Sequence, residues 1–201
     1  MKGKKAESYL IRKPEQIRAL AAAARQEVID VLASVGTVSV AALAAIMGRP
    51  ADALYFHLRA LMKVGLVKKA GERAVGGRRE ALFCAAAPEM RLHYAPKDAA
   101  NRKGVTAIVS SMLRLGTRDF VRVFERGDVN VSGASRELWA LRTTGRLSLA
   151  QIAKINQAIQ ELKLEVSQPQ RGGRLYGLTI LLTPLDHRER KSGKKRKGVR
   201  K

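Results

Sequence analysis

The sequence is short of cysteine, aromatic residues, acidic residues and long apolar runs. Its single cysteine, Cys84, excludes an internal disulfide framework and favours a reducing compartment. Aromatic residues make up only 4% of the 201 residues, whereas Ala and Leu are abundant, which favours helices over a β-sandwich or barrel. No apolar run is long enough for a membrane span or a signal peptide, so we expect a cytoplasmic protein that does not bind membranes.

The scarcity of acidic residues leaves a large excess of positive charge. Lys and Arg number 39 against 17 Asp and Glu, which gives a formal net charge of +22. Such a charge attracts polyanions and speeds their association, but an anionic membrane surface would be attracted in the same way. Charge alone therefore does not identify nucleic acid as the partner. Apolar residues make up 46% of the chain, which is enough to build a core.

Three helical patterns follow a polar, basic arm at residues 1–13. The first begins at Pro14 and ends before Gly36, with apolar residues at helical spacing. Ser39 is a suitable N-cap for a short second helix, which Gly48 ends. A third helix follows almost directly. Two helices joined by a tight, glycine-containing turn are typical of a helix-turn-helix.

A β-hairpin is predicted after the third helix. Residues 66–69 and 81–85 have the composition of short strands, and residues 71–79 between them are rich in Gly and Arg. We therefore expect a hairpin with a long, basic tip. Pro88 closes this first domain, which spans residues 14–90.

Residues 51–64 separate into two faces on a helical wheel. Leu54, Leu58 and Leu61 must pack against the preceding helices, and the opposite face combines aromatic with charged residues. In a major groove, Arg can donate to guanine, an aromatic edge can contact a thymine methyl, and Asp can accept from cytosine. The predicted DNA-binding residues of this element and of the turn before it are Arg49, Asp52, Tyr55, Phe56, Arg59 and Lys63.

The simpler alternative is that Tyr55 and Phe56 pack on the hairpin or on another subunit, while Arg59 and Lys63 are merely solvated. His57 lies near the core face of the same helix. We expect it to be a partly buried packing residue rather than a metal ligand or a base-reading residue.

The predicted hairpin tip adds three arginines, Arg73, Arg78 and Arg79, spaced by glycines. Glycines let a backbone approach a phosphate chain closely, and arginines supply forked donors. We predict that these arginines contact the DNA backbone or the minor groove. A charged loop of this kind can also be simply solvated.

At this point the residues carry a family resemblance. Residues 17–32, Ser39–Ala44 and Leu54–Leu61, followed by Val64–Val67, resemble the ArsR-like winged helix-turn-helix transcriptional regulators. The resemblance covers about residues 14–90. It implies a homodimer that reads an inverted-repeat operator, with the third helix in the major groove and the hairpin as the wing.

The chain departs from the metal-sensing members of that family, which bind through cysteine clusters on the recognition helix or through His and carboxylate sets. Residues 49–65 contain no cysteine, and the only histidines are His57, His93 and His187. A tetrahedral site needs about four ligands, so we expect no metal and no cofactor. No phosphate-binding loop or nucleophile elbow occurs, and Cys84 has the setting of an inert core residue, so we expect no enzyme.

Residues 97–185 are predicted to form a helix-rich dimerisation or effector region with two or more strands. The first helix carries an apolar stripe from Val105 to Phe124, which Gly116 is expected to kink or split. Strands are predicted at residues 137–143 and 174–183.

A further helix is predicted from Leu149 to Ser167. Its apolar residues have the spacing of a seam that packs lengthwise on another helix, in this chain or a second one: Ile152, Ile155, Ile159, Leu162 and Val166. Trp139 could line a pocket for an unknown small-molecule effector with Tyr176 and Leu178. The alternative is that both strands simply pack on the helices.

Residues 186–201 form a low-complexity basic tail. Residues 187–201 contain nine Lys or Arg and one Glu, a net charge of +8. Such a segment cannot bury a core, and we expect it to be disordered when free. It either solubilises the protein or holds phosphates without regard to sequence.

The sequence therefore predicts an α+β, mainly helical fold with an N-terminal winged helix-turn-helix. The predicted function is that of a dimeric, sequence-specific regulator that binds double-stranded DNA in the nucleoid and represses transcription. The main alternative is a non-specific nucleic-acid-binding protein, associated with the nucleoid or with RNA. A protein-interaction module is a second alternative, which the basic hairpin and tail disfavour.

Overall fold

The computed structural model describes residues 8–168 and 172–185, so the whole predicted basic tail, residues 186–201, lies outside the described residues. The fold belongs to the α+β class, as predicted. Its elements, in chain order, are β1 (Tyr9–Ile11), α1 (Pro14–Leu20), α2 (Ala23–Val35), β2 (Val38–Ser39), α3 (Val40–Met47), α4 (Ala51–Lys63), β3 (Val67–Val75), β4 (Arg78–Ala85), β5 (Met90–Leu92), α5 (Ala99–Arg126) and α6 (Leu149–Val166).

The helices α2, α3 and α4 pack against a small antiparallel sheet in the order β2-β4-β3. The β2 strand pairs with the inner end of β4, where Val38 lies opposite Phe83. Buried aliphatic side chains from all three helices meet Phe83 and Val67 of the sheet in one core. This arrangement is a winged helix, in which the β3–β4 hairpin is the wing.

The turn between α3 and α4 forms for local reasons that the sequence displays. The Ser39 side chain caps α3 by accepting a hydrogen bond from the Ala42 amide at 3.3 Å. Gly48 ends α3 with φ at +60°, a left-handed conformation that glycine adopts without a steric cost. Pro50 then precedes the first residue of α4. The predicted helix-turn-helix is confirmed.

The single helix predicted from Pro14 to the residue before Gly36 is in fact two helices. Ala22 has extended backbone angles, and it separates α1 from α2. The Arg25 side chain donates hydrogen bonds to the carbonyl groups of Arg18 and Ala19 at the end of α1. Both helices bury apolar residues in the same core, and helical periodicity does not reveal the break between them.

The predicted basic arm is shorter than residues 1–13. Residues 9–11 form β1, which pairs in parallel with β5, and Ile11 is buried in the core. The strand β5 begins at Met90, where the predicted first domain ends. A three-residue strand whose partner lies about eighty residues further on has no local signature, so the periodicity of the sequence missed it.

The wing is longer, and its tip shorter, than predicted. The strands extend to Val75 and Arg78, and only Gly76 and Gly77 connect them. Both glycines have positive φ angles, +54° and +77°, as a two-residue hairpin turn of type I′ requires. The register shifts between Lys69 and Glu72, beside Gly71, whose φ is +106°. Residues 71–79, which the sequence predicted to be a long hairpin tip, therefore consist mainly of the ends of two strands and a tight two-residue turn.

The long helix α5 packs across α1 and α2. The two helices pack tightly at Gly104, where an added Cβ atom would lie 2.4 Å from the Cγ2 atom of Ile17 in α1. The helix runs without interruption from Ala99 to Arg126, so the predicted split at Gly116 is wrong. Gly116 instead faces Thr179 of the C-terminal segment.

The two strands predicted in the C-terminal region, at residues 137–143 and 174–183, are not formed. Among the described residues, neither segment has strand hydrogen bonding, although α6 is present and begins with a capping box from Ser148 and Gln151. A strand forms only when its backbone hydrogen-bonds to a neighbouring strand. In the described part of the chain, no strand lies in position to pair with either segment. Pattern alone predicted the strand character but could not predict whether a partner exists.

Candidate nucleic-acid interface

The helix α4 has one buried face and one exposed face. Leu54, Leu58 and Leu61 are at most 1% exposed, as the helical wheel predicted. On the outer face, Phe56 is 67% exposed and Tyr55 is 42% exposed. Since the leucines fix the rotation of the helix in the core, the outer residues are presented by a rigid element.

Four of the predicted DNA-binding residues lie together on this outer face. Asp52, Tyr55, Phe56 and Arg59 line one shallow concavity. None of the ion pairs among the described residues includes Asp52 or Arg59. The concavity thus combines an acceptor, a forked donor and two aromatic rings, which are the groups that distinguish base edges in a major groove. Lys63 is exposed at the last position of the same helix.

A second shallow groove runs between α4 and the wing. Tyr55 and Arg59 belong to both concavities, so the two surfaces are continuous. Met62 and Lys69 also line this groove, and the sequence reasoning missed both of them. Met62 lies three residues after Arg59 on the helix, so the helical wheel could have included it. The position of Lys69 in the groove could be predicted only if the pairing of β3 with β4 were known.

The wing arginines differ in how they are engaged. Arg79 is highly exposed, with 85% of its side chain accessible and Glu72 4.0 Å away. Arg78 is exposed beside the glycine turn. Arg73 forms an ion pair with Glu80 at 3.1 Å and also reaches the Ser39 hydroxyl at 3.4 Å. Arg73 would therefore have to leave Glu80 to bind a phosphate, whereas Arg78 and Arg79 are more accessible.

Arg49 lies apart from the other predicted residues. Its guanidinium forms an ion pair with Glu27 at 2.6 Å, and only 30% of its side chain is exposed. Both oxygens of the same Glu27 carboxylate also accept hydrogen bonds from Arg118 of α5, and this hydrogen bonding raises the pKa of Arg118. The geometry gives Arg49 a positioning role, because its ion pair joins the turn before α4 to α2.

His57 is half-buried at the edge of the core, and its ring meets the Phe56 ring edge-on with centroids 5.4 Å apart. Burial lowers the pKa of His57 below its usual value of 6.5, and the nearby positive charges of Arg25 and Arg49 lower it further. Its Nδ1 atom is buried and has no hydrogen-bond partner among the described residues. The neutral imidazole is therefore the form that the fold favours at neutral pH.

The residues suggested for an effector pocket are not enclosed. Trp139 is 66% exposed with the Arg136 guanidinium 4.0 Å from its ring centre, and Tyr176 and Leu178 are about half-exposed. Cys84 is partly buried on β4. In the part of the chain that the structure describes, no group of three His, Cys, Asp or Glu side chains is placed to hold a metal ion. No helix within that part is long and apolar enough to cross a membrane.

Comparison with known proteins agrees with this geometry. The family model described as "Helix-turn-helix domain" matches residues 20–70, which contain α2, α3, α4 and the start of β3. No curated protein matches the chain. The match and the fold together indicate a helix-turn-helix regulator that binds DNA.

Proposed function

We propose that the protein is a sequence-specific transcriptional regulator of the ArsR-like type, acting as a homodimer on an inverted-repeat operator in double-stranded DNA. The observation that carries this proposal is the outer face of α4. Two exposed aromatic rings lie beside Asp52 and Arg59, on a helix whose opposite face is rigidly buried. Exposed aromatic rings are unfavourable in water, and contact with base edges in a major groove would cover them.

The wing and the tail supply binding that does not depend on sequence. Arg78 and Arg79 extend from the tip of the hairpin, and residues 187–201 carry a net charge of +8. Phosphate contacts of this kind position a protein on DNA but do not select a site, which remains the task of α4. A compact dimer seated on a promoter blocks access of the transcription machinery, so we propose repression rather than activation.

The second candidate is a non-specific nucleic-acid-binding protein, and the net charge of +22 favours it. The two functions differ in their preference among sequences. A regulator binds its operator more tightly than random DNA, typically by a factor of about 10³ or more at physiological salt.

Selection of bound duplexes from a random library, followed by competition binding at about physiological salt, separates the two candidates. We expect the selected duplexes to share an inverted repeat and to outcompete random DNA by orders of magnitude. Selection that enriches no motif, with equal competition by every duplex, would show that the charge of the protein accounts for all of its binding. A reporter gene placed behind the selected operator tests repression, because expression should rise when the protein is removed.

A further inference from the structure

A glutamine is buried beside the apolar core of the winged helix. Gln16, on α1, is only 1% exposed, and the residue after it, Ile17, belongs to the core itself. A buried amide loses its hydrogen bonds to water, so an apolar side chain of similar size fills such a space at lower cost unless the amide makes specific contacts. The presence of a glutamine at this position therefore requires a reason other than packing.

The amide of Gln16 joins two distant parts of the chain. Its Nε2 atom donates to the carbonyl oxygen of Val64 at 2.9 Å and to the hydroxyl of Tyr9 at 2.7 Å. A side-chain amide has two N–H donors, so both of them are used. The opposite orientation would place the amide oxygen against the Val64 carbonyl, which can only accept a hydrogen bond. The orientation of the amide is therefore determined by its partners.

The oxygen of the same amide makes no comparable contact. The Oε1 atom of Gln16 is buried, and it has no hydrogen-bond partner among the described residues. A buried acceptor without a partner is unfavourable, so this glutamine contributes less to stability than a fully hydrogen-bonded one. What the side chain does provide is a fixed position for the Val64 carbonyl.

Val64 is the residue at which α4 ends and the chain turns toward the wing. The amides of Gly65 and Leu66 donate back to carbonyl groups of the last turn of α4, both at 2.9 Å, and close the helix in a Schellman motif. Gly65 has the positive φ angle, +72°, that this motif requires. The Val64 carbonyl accepts its hydrogen bond from Gln16 instead. Residues 64–67, here called the base of the wing, are thus held by α1.

The chain that leaves the wing passes the same point. The Ala86 amide, directly after β4, donates to the Leu66 carbonyl at 2.9 Å. Tyr9, the second partner of Gln16, belongs to β1, which pairs with β5 after the wing. Gln16 therefore lies where the end of α4, the entry to the wing and the exit from it meet.

We propose that Gln16 is a positioning residue for DNA recognition, which fixes the wing relative to α4 through the Val64 carbonyl. Arg59 of the helix and Lys69 of the wing line the groove between these elements, so the shape of the groove depends on the base of the wing. Such a surface binds tightly only when its parts are held in the correct geometry before contact. The effect on binding rests on the proposed function, because only an operator requires α4 and the wing in one fixed arrangement.

The test replaces the amide by an apolar group of similar size in the full-length protein. Gln16→Met removes both donors, and we expect it to weaken operator binding by about five- to tenfold, the value of one or two hydrogen bonds. Binding to random DNA should stay within about twofold of the wild type, because phosphate contacts do not require one arrangement. Gln26→Met is the matched control, since the Gln26 Oε1 atom is also buried without a partner among the described residues, and it should change neither affinity. Fluorescence anisotropy on both duplexes, at a temperature where every variant is folded, measures these affinities.

A coupling measurement separates positioning from a general loss of stability. Arg79→Ala, on the exposed part of the wing, should weaken operator binding in the wild type but have a smaller effect in Gln16→Met, because the wing then no longer lies in its correct place. A loss of stability alone predicts the same effect of Arg79→Ala in both proteins. Tyr9→Phe removes only the hydroxyl that holds Gln16, and it should show the same coupling with a smaller loss of affinity. It takes the place of Gln16→Met if that variant does not fold.

Amide hydrogen exchange reports on the base of the wing without DNA. In Gln16→Met, residues 65–69 should exchange faster than in the wild type, while exchange in α4 around Leu58 stays the same. Unchanged operator binding by a folded Gln16→Met protein, or equal effects of Arg79→Ala in both backgrounds, would overturn the proposal. A wild type that prefers no duplex would instead remove the proposed function. The exchange rates alone would then decide whether Gln16 fixes the base of the wing, and unchanged rates would count against it.

Discussion

The Arg118 guanidinium forms two hydrogen bonds with the Glu27 carboxylate, at 2.8 and 3.1 Å, and so joins α5 to α2. The same carboxylate also binds Arg49, which precedes the α4 helix. One side chain, of which 16% is exposed, therefore connects the turn of the helix-turn-helix to the helix that leads into the C-terminal region.

Replacement of this carboxylate should loosen both connections. Glu27→Gln retains the shape but removes the charge that both arginines bind, so we expect the free energy of unfolding to fall by about 1–2 kcal/mol, given that the arginines are partly solvated. Urea unfolding measures this change. Glu72→Gln, at a more exposed ion pair on the wing, is the control and should change stability by less than about 0.5 kcal/mol. Equal effects of the two substitutions would contradict a joining role for Glu27.

The contact between α1 and α5 at Gly104 should tolerate no side chain. Gly104→Ala would place its Cβ atom 2.4 Å from the Cγ2 atom of Ile17, so the helices must separate, at a cost of about 1–3 kcal/mol. Gly116→Ala in the same helix meets its nearest atom at 3.4 Å and gains helix propensity, so it should be neutral or stabilising. Thermal unfolding compares the two variants. A stable Gly104→Ala protein would show that the helices do not pack this closely.

Arg59 should contribute to recognition of the operator but not to general affinity. We expect Arg59→Ala to weaken operator binding by about 1–3 kcal/mol and to leave binding to random DNA almost unchanged, because base-edge hydrogen bonds exist only in the specific complex. Titration of both duplexes by fluorescence anisotropy measures this difference. Arg122→Ala, an exposed arginine on α5, serves as the control for loss of one positive charge. If Arg59→Ala weakens both duplexes equally, Arg59 is a phosphate contact.

Phe56 should recognise a thymine methyl group. Replacing each thymine of the operator in turn by deoxyuridine removes only that methyl, and we expect one position per half-site to lose about 0.8 kcal/mol, the value of one buried methylene. The Phe56→Ala protein should bind the operator more weakly than the wild type, and its affinity should not change when that thymine is replaced by deoxyuridine. The wild type compared with Phe56→Ala on the two duplexes forms a complete double-mutant cycle. A methyl effect that survives in Phe56→Ala belongs to another side chain.

His57 should make the stability of the protein depend on pH in the acidic range. Burial lowers its pKa in the native state below the value of 6.5 expected when unfolded, so the unfolded chain binds the proton more readily. The contribution of His57 is therefore complete above pH 6.5 and is lost as the pH falls below it. Urea midpoints measured between pH 7.5 and pH 5 should decline less steeply in His57→Gln than in the wild type. Parallel curves would mean that His57 is freely solvated.

The sequence predicted the elements that local chemistry determines. Ser39 and Gly48 identify both ends of α3, and the spacing of Leu54 and Leu58 identifies the buried face of α4. Once the buried leucines of α4 were identified, helical geometry determined which residues lie on its outer face. The helical wheel therefore groups the α4 residues of the candidate site correctly, although their contacts with DNA stay a prediction.

What the sequence could not predict depends on contacts between distant residues. The pairing of Arg49 with Glu27 spans 22 residues, and nothing in the sequence near Arg49 indicates this ion pair. Likewise, the break at Ala22 depends on Arg25 and on the core that both helices share. Leu178 and its neighbours have the pattern of a strand, but the pattern carries no information about whether an adjacent strand exists.

The uninterrupted α5 helix has a mechanical consequence. From its close packing at Gly104 to its end at Gly127 the helix extends about 34 Å, since each residue adds about 1.5 Å. A rotation of only about 5° about the Gly104 contact would move the far end by about 3 Å. Arg118 lies between these two points, so the helix acts as a lever whose tilt pulls on Glu27 and, through it, on Arg49. A displacement of the far end of α5 would therefore be transmitted along the helix to the turn before α4.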